Sequence, residues 1–290
     1  MNFRVIFLSN LIFLNISCGN SENHKDKSIK SLNQSFPFSS PDKTIFLPVE
    51  LEEISDISIM ANGNIGGIED ESGVIFEINP DNGDIISKSK FAGSRDFEGL
   101  TFAGSNAYAG TSDGVIFEIK NYGSKQNVKE YSTKLSKENN VEGLCFDDAN
   151  SSILLICKDH PGSALNHKEF KAIYRFDTKT NKLDDEPFIK IPLAKIEKMQ
   201  GQTDGKKEGK VNFHPSGIAI HPITGNYFVI ASAGKLIVEL NKSHDIVNVN
   251  SLPKDIFTQP EGIAFDKEGG LYISNEGKGE RASIVYFKKI

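Results

Sequence analysis

One short phrase recurs five times along these 290 residues, and that recurrence constrains the fold more than any other feature. Its clearest copy reads Asp96-Phe97-Glu98-Gly99-Leu100-Thr101-Phe102, followed by apolar runs at 107–111 and 114–119. Clusters of Gly, Asn, Ser and Asp separate the runs, which therefore read as successive antiparallel strands. Val141-Glu142-Gly143-Leu144, Pro215-Ser216-Gly217-Ile218 and Pro260-Glu261-Gly262-Ile263 open three more copies. A degenerate first copy opens at Ile54-Ser55-Asp56-Ile57. Starts near residues 54, 97, 141, 215 and 260 give spacings of roughly 43, 44, 74 and 45. Four short strands every 40–50 residues is the period of a β-propeller blade, and stacked repeats make one body rather than two domains.

The fold class expected is all-β: a single five-bladed β-propeller over residues 44–290. Copies one and two each continue into a fourth strand, at 84–88 and 127–131, whereas copy five runs out at Ile290. The isolated strand-like stretch Thr44-Ile45-Phe46-Leu47-Pro48-Val49 can supply the missing strand and close the ring. A sandwich of the same length would explain neither the copies nor that orphan. The long third interval holds a fourth strand at 187–191. It then carries an insertion at 194–212, read as a loop over one face with some helical character at 194–200.

Residues 1–17 read as a lipoprotein signal peptide. Arg4 precedes an apolar run at 5–14, too short to span a bilayer, and Asn15-Ile16-Ser17-Cys18 follows. The Cys after small residues resembles a lipidation site, although Asn15 stands where Leu is usual; the other reading is an ordinary secretory signal. Residues 18–43, rich in Ser, Asn, Lys and Asp, read as a flexible tether. A cell-envelope protein lipid-anchored through Cys18 is therefore expected; Gly19 after the Cys is no Asp retention signal, and resemblance to Gram-negative lipoproteins implies the outer membrane, facing the periplasm or the surface. The membrane is thus one expected partner. A net charge of −6, with no basic stretch interleaved with aromatics, excludes nucleic acid as another. A monomer is expected, binding an unidentified small molecule or protein.

Chemistry concentrates at two repeat positions. The residue before the motif Gly is polar in every copy: Ser55, Glu98, Glu142, Ser216 and Glu261. First strands line the central channel of a propeller, so three carboxylates converge there and repel unless protons or a cation neutralise them. Hard oxygen donors suit Ca²⁺, which is the cofactor expected, with these five residues as its ligands. The competing reading makes each Glu an acceptor for backbone amides of the next blade. The second position, at the end of the second strand, aligns Asp70-Glu71, Lys158-Asp159 and Asn275-Glu276 with Thr111-Ser112 and Ser232-Ala233. These are channel-mouth groups or, equally, ordinary hairpin chemistry. His160, His167, His214 and His221 show no metal-ligand spacing, and no nucleophile elbow or phosphate loop occurs. Cys145 and Cys157, on neighbouring strands, are a disulfide or two buried thiols.

The run Asp70-Glu71-Ser72-Gly73-Val74-Ile75-Phe76-Glu77-Ile78, together with Asp96–Leu100, Pro215–Pro222 and Gln259–Ile263, resembles the SdiA-regulated (YjiK-like) family over about residues 50–288. That resemblance implies a five-bladed propeller, distantly like NHL-repeat, gluconolactonase and paraoxonase-type propellers, with a calcium site. Asp56 departs from the pattern, standing where other copies have Gly. Two functions follow as expectations. One is a non-enzymatic Ca²⁺-binding lipoprotein that takes a ligand on one face. The other is a Ca²⁺-dependent lactonase or esterase in which the metal polarises a carbonyl.

Overall fold

A computed structural model describes residues 36–162, 164–204 and 211–289. The chain starts with β1 (Lys43–Phe46) and a single 3-10 turn at Val49–Leu51. Blade one follows as β2 (Ile54–Ile59), β3 (Ile65–Glu69), β4 (Val74–Ile78) and β5 (Ile85–Lys90). Blade two is β6 (Phe97–Ala103), β7 (Asn106–Thr111), β8 (Val115–Lys120) and β9 (Asn127–Ser132). Blade three holds β10 (Val141–Asp147), β11 (Ser152–Cys157) and β12 (Phe170–Asp177), with two short strands, β13 (Lys182–Leu183) and β14 (Ile189–Pro192), both on the edge of β12. After helix α1 (Leu193–Asp204), blade four is β15 (His214–Ile220), β16 (Tyr227–Ala233), β17 (Leu236–Leu240) and β18 (Ile246–Ser251). Blade five is β19 (Pro260–Phe265), β20 (Leu271–Asn275), β21 (Ser283–Phe287) and, as its outer strand, β1.

The ring closes as expected. Lys43 pairs with Tyr286 and Phe46 with Ser283 in an antiparallel ladder. The closing strand is shorter than the stretch 44–49, because Pro48 has no amide to donate and the chain turns at Val49. Each blade presents apolar residues to both neighbours, so the core lies in the seams. Leu154, Ile156 and Ile173 of blade three meet Val229 and Val238 of blade four, for example.

Two boundaries move. Phe36 and Phe38, inside the stretch assigned to the tether, are buried in blade five, and Phe38 lies edge-on to Phe257 and Phe287. The polar average of 18–43 conceals two aromatic anchors, each carrying a large apolar payload. Phe36 and Phe38 therefore belong to the folded body. The span read as a loop from residue 194 is helical as far as Asp204. Leu193 and Ile196, three apart and so on one helical face, bury against blades three and four. The signal assignment and Cys18 lie outside the described residues.

Candidate functional site: the channel mouth

The motif glycines create the channel geometry. A side chain at Gly99 would meet the Leu144 amide, at Gly143 the Gly217 Cα, at Gly217 the Glu261 carbonyl and at Gly262 the Ile57 amide, all within 3.0 Å. First strands of adjacent blades approach too closely for a Cβ, which is why the phrase needs Gly there. Blade one breaks the pattern with Asp56, and the structure supplies the reason. Its carboxylate accepts the amides of Ile57 (2.8 Å), Leu100 (2.9 Å) and Leu144 (3.4 Å), tying first strands of three blades together. Complete burial pushes the Asp56 pKa well above the ordinary carboxylate value, against the pull of those amides. Sequence reasoning marked Asp56 only as a departure. A carboxylate replacing Gly in a ring of five is the signal that could have identified it.

One residue before the glycines, Glu98, Glu142 and Glu261 face one another. Burial raises all three pKa values. Glu142, Asp96 and Glu261 add to the rise at Glu98, and Glu142 adds to that at Glu261, which reaches about 8. Two further groups join them, Asp96 and the channel-mouth candidate Lys158. Asp96 accepts a hydrogen bond from the Ser112 hydroxyl. Lys158 reaches in from blade three, its Nζ 2.9 Å from Glu142 Oε1. Burial pulls the Lys158 pKa down, but Glu142, Glu261 and Glu98 outweigh it and the net shift is upward.

The second repeat position forms an outer tier. Amides of Ser112, Lys158 and Glu276 donate to the carbonyls of Asp96, Asn140 and Gln259, each two residues before a channel Glu, which fixes the equivalence. Asp70 is pushed up to about 6 by burial and by Glu53, Glu69, Glu71 and Glu276, and its Oδ1 is buried without a hydrogen-bond partner. Glu276 is raised by burial, with Glu53 adding to it.

Other candidates fall elsewhere. Ser216 Oγ donates to the Pro260 carbonyl (2.7 Å) and accepts the Ser232 amide, so it is committed to the seam between blades four and five. Ser55 donates weakly to the Glu53 carbonyl (3.4 Å). The amide of exposed Glu71 donates to the Glu69 side chain, which is turn chemistry. Asn275 points inside blade five, to the Ile256 carbonyl (3.2 Å). Asp159 turns out of the channel, toward Asn140 (3.1 Å) and His214 (3.6 Å). The two cysteines are free. Cys145 lies opposite Leu154 and Cys157 opposite Val141, so they sit several residues apart along the ladder, beyond the ~7 Å Cα reach of a disulfide.

Tested against calcium, the donor set fits in chemistry: carboxyl groups outnumber the ammonium groups of Lys158 and Lys235 that act on them, and in the outer tier Asp70 Oδ1 lacks a partner. The arrangement is not a preformed cage. Among the described residues no three acidic, His or Cys side chains converge as metal ligands, and Lys158 holds the central positive charge.

The fold and this mouth define a five-bladed propeller with an acidic channel entrance. The chain belongs to the SdiA-regulated family, whose model matches residues 49–278. A search of curated proteins gives no match. Among solved structures, glutaminyl cyclase from Myxococcus xanthus superposes with a TM-score of 0.58 at 10% identity, covering 86% of this chain and 95% of that one. A PQQ-bound aldose sugar dehydrogenase from Streptomyces coelicolor gives 0.52 at 10% identity, covering 86% and 97%. An inactive virginiamycin B lyase from Staphylococcus aureus gives 0.47 at 14% identity, covering 84% and 83%. At such identities the likeness is one of fold alone.

Proposed function

We propose that the protein is an envelope lipoprotein, anchored through Cys18, whose channel mouth binds Ca²⁺ as part of a ligand-binding face. The observation that carries the cation site is the charge imbalance of the channel. Glu98, Glu142 and Glu261, with Asp96, crowd about the Lys158 ammonium, with Lys235 close enough to act on Glu261 alone of the three. Without a further cation such a cluster retains protons at neutral pH, and a divalent ion competes with both those protons and Lys158. Lys158 is then a built-in counter-ion that sets the affinity.

The experiment is a calcium titration by calorimetry. Wild type should bind one ion and release protons. Lys158→Met should bind about tenfold tighter, and Glu142→Gln about tenfold weaker or not at all. A Lys158→Met affinity equal to or below that of wild type would sink the competition. Absence of binding in both would leave the glutamates as proton carriers only.

A hydrolytic reading draws on one observation, the raised carboxyl of Glu142 beside an ammonium, which is the environment of a general base. Calcium-dependent turnover of a lactone or aryl ester, lost in Glu142→Gln, would move the protein into that class.

A further inference from the structure

Between blades three and four, beside the channel, lies a cavity of about 540 Å³. Three of the histidines that lack any sequence signature, His160, His167 and His214, meet there, with the rings of the first two 5.5 Å apart. The apolar part of the lining is Val211, Phe213 and Leu193, which the start of α1 and the entry to β15 bring together, and the carboxylates of Glu138 and Asp159 line the cavity as well. Lys171 also lines the cavity and is 5% exposed. Its Nζ donates to the backbone carbonyls of Lys158 and Asp159 and, among the described residues, forms no ion pair. The nearby carboxylate of Asp159 is engaged with Asn140 and His214. Lys168, exposed beside His167, likewise forms no ion pair among the described residues.

A buried ammonium solvated by two carbonyls, with no carboxylate within ion-pair distance among the described residues, is costly, and burial lowers the Lys171 pKa against the pull of Asp159. An anion in the cavity would remove that cost. The volume falls within the ~300–1,000 Å³ typical of small-molecule sites, and apolar walls with a few converging polar groups are their usual composition. A bare inorganic ion would leave the apolar surface of the cavity, to which half-buried Val211 contributes, uncovered.

We propose that this cavity binds a small organic anion with an apolar body, an acyl carboxylate or an alkyl phosphate. The head meets Lys171 and the neighbouring histidines, and the body lies on Phe213 and Leu193. The site is separate from the channel carboxylates and stands independently of the calcium reading.

Calorimetry in the presence of EDTA, which silences any calcium at the channel, would test it with octanoate, octyl phosphate, octanol and inorganic phosphate. Octanoate or octyl phosphate should bind on the order of tenfold more tightly than octanol or inorganic phosphate, and the stronger of the two identifies the head group. Lys171→Met, which keeps the apolar stem, should weaken the preferred ligand about tenfold, and Lys171→Arg should retain it. Equal binding of octanol, unchanged binding by Lys171→Met, or no binding at millimolar concentration would overturn the proposal. Should Lys171→Met not fold, the wild-type preference between octanoate and octanol decides alone.

Discussion

Asp56 shows how much one residue can carry in a repeat protein. Blades two to five use Gly to let their first strands touch; blade one uses a carboxylate to hold three first strands, its own included. Asp56→Ala should cost about 3 kcal/mol in urea unfolding, because it leaves buried amides of Leu100 and Leu144 without an acceptor. Asp56→Asn keeps an acceptor and should cost far less. The channel glutamates make a second prediction. Their folded pKa values lie above the unfolded ones, so the folded state holds protons that the unfolded chain has released. The associated stability is full below about pH 4.5 and is lost as pH rises through the folded value, about 8 for Glu261. The Tm should fall between pH 5 and 8 in EDTA, and Glu261→Gln should flatten the slope; a Tm constant over that range would refute the assignment. Both glutamate ring and Asp56 stood out in the sequence as repeat positions. Lys158 stood out only as one of several polar groups at a second-strand end, since alignment says nothing of where a long side chain reaches.

At the scale of elements, the strands of each blade were legible because they pair with sequence neighbours and read as short apolar runs bounded by turn residues. What escaped was whatever depends on distant partners. The helical character of 194–200 was visible, but its extent to Asp204 and its burial through Ile196 were not, because the following polar run dilutes the pattern. Phe36 and Phe38 sit in a polar segment, and only blade five gives them a reason to order. Phe38→Ser should therefore lower stability by about 3 kcal/mol, the usual range for losing a buried aromatic. A Tm unchanged from wild type would show the contact to be incidental. The histidine cavity was illegible for the same reason. His160 and His214 lie far apart in sequence, and only the seam between blades three and four brings them to one wall.

For the whole molecule, the proposed anchor predicts partition with the membrane fraction and release on Cys18→Ser; a mutant that still sediments with membranes would refute lipidation. The folded body is a ring whose closing contact joins Lys43 to Tyr286, across ~240 residues of chain. Every other blade can assemble from strands that emerge one after another. Blade five cannot, because a ribosome must deliver residue 286 before residue 43 finds its partner. That junction is then the most expensive in chain entropy and the last to be gained, so folding speed is set by a search that local pairing does not shorten. Once made, it works as a clasp. The lifetime of the folded state depends on how often the clasp opens, a rate that the summed strength of the other seams does not determine.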